Sequence, residues 1–143
     1  MTFGSCSNDK NKITQNDIIK LLQNYELEHN NDTKAYLFLP LDGCGECIKI
    51  SVKFVKENLD LTNIKYVLSS ASRKIFSINF GKEILNSEIV IIDDDLYRKI
   101  YELAINKPVL YLFKYGKIQY IIQIDDSNSE NVLNVLLKDY LNL

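Results

Sequence analysis

An apolar, aromatic-rich run, Lys34 to Pro40 (KAYLFLP), stops at Pro40 and Asp42-Gly43 and is followed at once by Cys44-Gly45-Glu46-Cys47. A run apolar on both of its alternating faces belongs in the middle of a sheet, and proline with Asp-Gly ends it in a turn. The cysteine pair therefore sits at the end of a central strand. The segment behind it reads two ways. Ile48 to Val55 alternates as a strand would, yet Ile48, Val52, Val55 and Leu59 also fit a helical stripe. The run continues through Lys56, Glu57 and Asn58 without a turn signal, and that length favours a helix.

The rest of the chain repeats this alternation. Thr14 and Asp17 open a helix to about His29, with Ile18, Leu21, Leu22 and Tyr25 as its buried stripe. Ile64 to Leu68 is a second strand, Ser72 to Phe80 a helix ended by Gly81, and Glu88 to Ile92 a third strand that stops at Asp93-Asp94-Asp95. Leu96, Ile100 and Leu103 give a helical stripe that Asp95 caps and Asn106-Lys107-Pro108 ends. Val109 to Phe113 and Ile118 to Ile124 are strands of a hairpin turned by Lys114-Tyr115-Gly116-Lys117, with Tyr111 and Tyr120 half-buried in the sheet. Ser127 and Glu130 form a capping box for a last helix carrying Leu133, Leu136, Leu137 and Tyr140. The order αβα, βα, βα, ββα predicts an α/β fold. About five strands form a mixed sheet with helices on both faces, an inserted βα and a closing hairpin plus helix.

Composition narrows the function classes. With 143 residues, 46% hydrophobic and 25% charged, the chain makes one domain, expected over 14–143 behind a polar leader over 1–13. A net charge of -2 offers no field for a phosphate backbone, so nucleic acid is not expected as a partner. Apolar stretches fall short of the ~18 to 20 residues of a membrane span. Three cysteines are too few for a disulfide-stapled mini-protein.

A Cys-x-x-Cys pair at the first turn of a helix has a specific chemistry, because unpaired backbone N–H groups and the positive dipole end stabilise a thiolate. Cys44 would attack a substrate disulfide, and Cys47, three residues on, would resolve the mixed disulfide. Gly45-Glu46 would tune the pair. A carboxylate beside the thiolate raises its pKa and makes a weaker oxidant, which biases the pair towards reduction. Cys6 follows Phe3-Gly4-Ser5, the pattern of a lipidation site at a mature N-terminus. Few residues precede it, so either the true start lies upstream of Met1 and Cys6 is lipidated, or Cys6 is a free thiol in a polar tail.

The strand-turn-helix unit Ala35 to Lys56 around Cys44-Gly45-Glu46-Cys47 resembles the active-site unit of the thioredoxin-like fold. Pro108-Val109-Leu110-Tyr111-Leu112-Phe113 is similar to the strand that begins with that family's cis-proline, and the hairpin and helix complete the resemblance. Ile64 to Asp95 looks like the insertion of the envelope thiol-disulfide oxidoreductase (redoxin/TlpA-like) subgroup. The resemblance implies a cis bond at Lys107-Pro108, whose loop packs on the cysteines and offers backbone groups to an extended substrate. Some positions depart from the family pattern. Gly43 replaces an aromatic, Glu46 a proline, and Phe38 the strand acid that assists proton transfer, while Lys107 stands where small or β-branched residues are common. Facing Cys44, Lys107 would lower the thiol pKa and oppose Glu46.

The expected function is thus a monomeric thiol-disulfide oxidoreductase without a small cofactor, acting on a disulfide-containing protein and fed by an electron donor. Lipidation at Cys6 would place it on the periplasmic side of the cell envelope, with the cytoplasm as the alternative. The competing readings are a non-catalytic interaction module with a structural disulfide, and a zinc site drawn from Cys6, His29, Cys44 and Cys47.

Overall fold

The computed structural model describes residues 32–43, 45–70, 73–86, 90–93 and 107–142. The leader, the helix expected over 14–29 and the helix expected around Leu96 to Leu103 lie outside the described residues. Along the chain come β1 (Ala35–Pro40), α1 (Glu46–Glu57), β2 (Ile64–Ser69), α2 (Arg73–Phe80), a 3-10 turn (Lys82–Asn86) and β3 (Val90–Asp93). β4 (Val109–Lys114) and β5 (Lys117–Gln123) follow. The closing helix α3 has three contiguous segments, α over Ser129–Asn131, π over Val132–Leu137 and α over Lys138–Tyr140.

The five strands form one mixed sheet in the order β3-β2-β1-β4-β5. β1 runs parallel to β2 and antiparallel to β4, β3 is parallel to β2, and β5 closes an antiparallel hairpin with β4. Parallel neighbours require a crossover, and α1 supplies the one between β1 and β2. Every residue of β1 is buried. On one face Leu37 and Leu39 join Cys47, Phe54 and Val55 of α1, Phe76 of α2, and Leu133 and Leu137 of α3 in a single apolar core. On the other, Tyr36 and Phe38 meet Phe113 and Tyr111 edge-on, at 5.2 and 4.9 Å between ring centroids. Such pairs add about 0.5 to 1.5 kcal/mol each beyond the area they bury.

The ambiguous segment after the cysteines is a helix. Cys47, Ile48, Ser51, Phe54 and Val55 are its buried residues, a stripe that only the helical period produces. Asn58 ends it, donating through Nδ2 to the Phe54 carbonyl at 2.8 Å, and the Tyr66 hydroxyl donates to the Asn58 carbonyl at 2.9 Å. The end of α1 is thereby fixed to β2. In the β4–β5 hairpin Tyr115 and Gly116 both have positive φ, 53° and 75°, the backbone of a two-residue turn matched to strand twist.

Two expectations are corrected. Tyr120 is 56% exposed whereas Tyr111 is fully buried, because β5 is an edge strand and β4 is not. The capping box between Ser127 and Glu130 is not made. Asp125 Oδ1 instead accepts from the Ser127 and Asn128 backbone N–H groups, at 2.9 and 3.1 Å, and from the Ser127 hydroxyl. Asn128 Oδ1 accepts from the Asp125 N–H at 2.8 Å. An Asx turn wins because the aspartate reaches N–H groups two and three residues ahead, which leaves Glu130 to accept from Asn134 Nδ2 at 2.8 Å. The π segment has a further effect. Its wider turn rotates each residue less than an α-helix does, so Leu136 is 38% exposed while Val132, Leu133, Leu137 and Leu141 stay buried.

Candidate active site

The sheet gathers one end of several elements. β1 finishes at Pro40, and the turn beyond it is anchored to the end of β2: the Leu41 N–H donates to the Ser69 carbonyl at 2.8 Å and the Ser70 hydroxyl to Asp42 Oδ1 at 2.6 Å. The antiparallel register pairs Phe38 with Val109, so Pro108 lies one residue further towards that same end. The Ile124 N–H donates to the Pro108 carbonyl at 2.8 Å, which brings the exit of β5 to the entrance of β4. Asp125 and Asp126 follow directly. The carboxyl end of a strand in an open α/β sheet is where such folds place their chemistry.

Cys47 is the second residue of α1 and a free thiol, 2% exposed. Its backbone N–H, one of those a helix start leaves unpaired, donates to Asp126 Oδ1 at 2.8 Å. No side chain of α1's own N-cap does this, because the N-cap is Gly45. Asp126, exposed and 79 residues away in sequence, therefore caps the helix from the β5–α3 loop. A charged acceptor at a helix N-terminus contributes about 0.3 to 1 kcal/mol at an exposed site.

Gly45 makes this approach possible. Its φ of 110° and ψ of 174° lie in a region that only glycine occupies without strain. A Cβ there would stand 2.9 Å from Asp126 Oδ1, closer than such atoms come, and a tight 3.1 Å from Oδ2. The carboxylate seats against the helix start because Gly45 has no side chain.

The thiol and this carboxylate interact. Burial pushes the Cys47 thiol above its ordinary value; the hydrogen bond from the thiol to Asp126 and that carboxylate's negative charge push the same way. The Ile48 and Cys47 backbone N–H groups pull it down by less. Cys47 is thus held as a protonated thiol at neutral pH.

The expected site residues fare differently. Cys44 lies outside the described residues, as do Cys6 and His29, so the pair's spacing and the zinc quartet are not seen. Among the described residues no three His, Cys, Asp or Glu side chains cluster as metal ligands. Glu46 is exposed and its Oε1 pairs with Lys49 Nζ at 3.4 Å, so the carboxylate that touches Cys47 is Asp126 and not its sequence neighbour. Lys107 is exposed, and its charge helps the hydrogen bonds from Ser127 hold Asp125 below the usual carboxylate value. Pro108 is buried, and its bond to Lys107 is trans, since no described peptide bond is cis. The expected cis bond is therefore corrected. The trans isomer is the ordinarily preferred one, and the Pro108 carbonyl accepts from the Ile124 N–H. Asp126 is the residue that sequence reasoning missed.

No family model matches the chain, and no curated protein does. Among solved structures it is similar to the solution structure of an uncharacterized thioredoxin-like protein from Porphyromonas gingivalis, with 16% sequence identity and a TM-score of 0.47. The likeness covers 82% of this chain and 80% of that one.

Proposed function

We propose that the chain is a thioredoxin-like thiol-disulfide oxidoreductase. The observation that carries the reading is the Cys47 thiol, buried in the first turn of the helix that follows the central strand and in contact with a carboxylate. Cys44 stands three residues before it in the sequence. The resemblance implies a mixed sheet of about five strands with a closing hairpin and helix, and the β3-β2-β1-β4-β5 sheet supports it.

The chemistry balances as an exchange. The Cys44 thiolate attacks one sulfur of a protein disulfide, forming a mixed disulfide and releasing the first substrate thiol. The Cys47 sulfur then attacks Cys44 Sγ, breaking the mixed disulfide, so that the substrate gains two electrons and the pair is oxidised. An external dithiol or protein electron donor restores it. The negative charge at the helix start disfavours thiolate, which makes the pair a weak oxidant and sets the direction towards reduction. Exposed Lys107 and the neighbouring Pro108 lie at the sheet end that carries the helix start, where a substrate would contact them. A lipid on Cys6 holds the domain, as a monomer, on the periplasmic face of the envelope.

The test is reduction of a model protein disulfide by dithiothreitol with and without the protein. The protein accelerates the reaction catalytically; a rate equal to that of dithiothreitol alone overturns the reading and favours a non-catalytic interaction module.

A further inference from the structure

We propose that Asp126 is the proton acceptor for Cys47 in the resolving step, an assignment that rests on the oxidoreductase reading above. The sulfur of a buried thiol is a poor nucleophile until its proton leaves. Cys47 is 2% exposed, so the proton needs an acceptor within reach. Phe38 packs against Tyr111 on the sheet face away from α1, whereas Leu37 and Leu39 share the core with Cys47, so β1 presents no acid to the thiol. Asp126 approaches from the opposite side of the sequence instead. Its Oδ1 accepts the Cys47 N–H at 2.8 Å, its carboxylate accepts from the thiol, and Gly45 leaves the space that lets it in. Asp126 is itself exposed, so a proton received from the buried sulfur passes on to water.

In the step, the Cys47 S–H proton moves to the Asp126 carboxylate as Cys47 Sγ bonds to Cys44 Sγ. The bond from Cys44 to the substrate sulfur breaks, and the leaving thiolate takes a proton from solvent. Among the described residues, Asp42 in the turn before the helix accepts from Ser70, Glu46 and Lys49 pair with each other, Lys107 helps hold Asp125 low, and Glu130 accepts from Asn134. Asp126 is the one among them that contacts Cys47.

Removing the charge has two opposed effects, and their sign decides the matter. Without the carboxylate the thiol ionises more readily, which by itself would speed attack; without the acceptor the proton has no route, which slows it. Asp126→Asn keeps an oxygen to accept the Cys47 N–H, so the helix cap survives. The measurement uses Cys6→Ser protein and the aromatic disulfide dithiobis-nitrobenzoate, which releases one coloured thiol when Cys44 attacks and a second when Cys47 resolves. Asp126→Asn leaves the first, concentration-dependent phase within about twofold and slows the second by roughly tenfold or more. The second phase also becomes steeper with pH than in the wild type, approaching the first-order dependence on hydroxide of a thiol that ionises unaided, and Asp126→Glu restores part of the rate. An equal or faster second phase in Asp126→Asn overturns the assignment while leaving the oxidoreductase reading intact. Absence of a second phase in the Asp126-containing protein overturns that reading itself.

Discussion

Cys44→Ser abolishes disulfide reduction, while Cys47→Ser accumulates a covalent complex with the substrate. In the proposed reaction the asymmetry follows from where the two sulfurs act. Cys44 makes the first bond to substrate, so its loss removes the reaction path and lowers turnover by more than about a thousandfold. Cys47 acts second. Its loss leaves the first attack intact and blocks escape, so the mixed disulfide persists on non-reducing gels and disappears with excess dithiol. Neither change costs much stability, since serine for cysteine at the buried 47 position is nearly isosteric and Asp126 still accepts the backbone N–H. Normal turnover by either variant contradicts the assignment.

Gly45→Ala loses about 3 kcal/mol of stability and damages the site at the same time. Part of the loss is backbone strain, because φ of 110° with ψ of 174° is accessible to glycine alone and costs other residues roughly 1 to 3 kcal/mol. The rest is loss of the Asp126 cap, since the new methyl group would stand 2.9 Å from Asp126 Oδ1 and push this exposed side chain off the helix start. Gly81→Ala is the control. Gly81 also has positive φ, 80°, but a Cβ there meets nothing within 4 Å, so only the strain of about 1 to 2 kcal/mol remains. Urea unfolding of the two variants separates strain from loss of the cap. The exchange rate separates them again, falling for Gly45→Ala and holding for Gly81→Ala. Equal losses of stability and activity at both positions would mean that Asp126 does not depend on the space beside Gly45.

Much of the fold was legible because its signals are local. Pro40 and Asp42-Gly43 marked the end of β1, Gly81 the end of α2, and Gly116 the hairpin, and each lies within a residue or so of the boundary found. The helical reading of 48–55 rested on length, and packing of Cys47, Ile48, Ser51, Phe54 and Val55 against the sheet bears it out. The site was half legible. Cys44-Gly45-Glu46-Cys47 announced itself, but its acid partner did not. Asp126 reads locally as part of a polar turn before a helix, and only the β1–β4–β5 order and the bond from Ile124 to Pro108 bring it to the start of α1. A contact spanning 79 residues leaves no trace in spacing. The role given to Glu46 concerned Cys44, which lies outside the described residues; among those described, Glu46 pairs with Lys49. The π turn in α3 was hidden for a related reason: Leu133, Leu136, Leu137 and Tyr140 fit an α stripe, and only packing shows the ladder widening.

The most direct test of the central claim is an equilibrium redox titration of Cys44 and Cys47 in defined dithiol buffers, read by mass after alkylation, with zinc measured on the same sample. The account predicts a two-electron transition of the pair near the ~-270 mV of reducing dithiols rather than the ~-120 mV of strong oxidants, with no stoichiometric zinc. A pair that shows no accessible transition, or that retains zinc through the titration, would contradict the account and assign the cysteines a structural role.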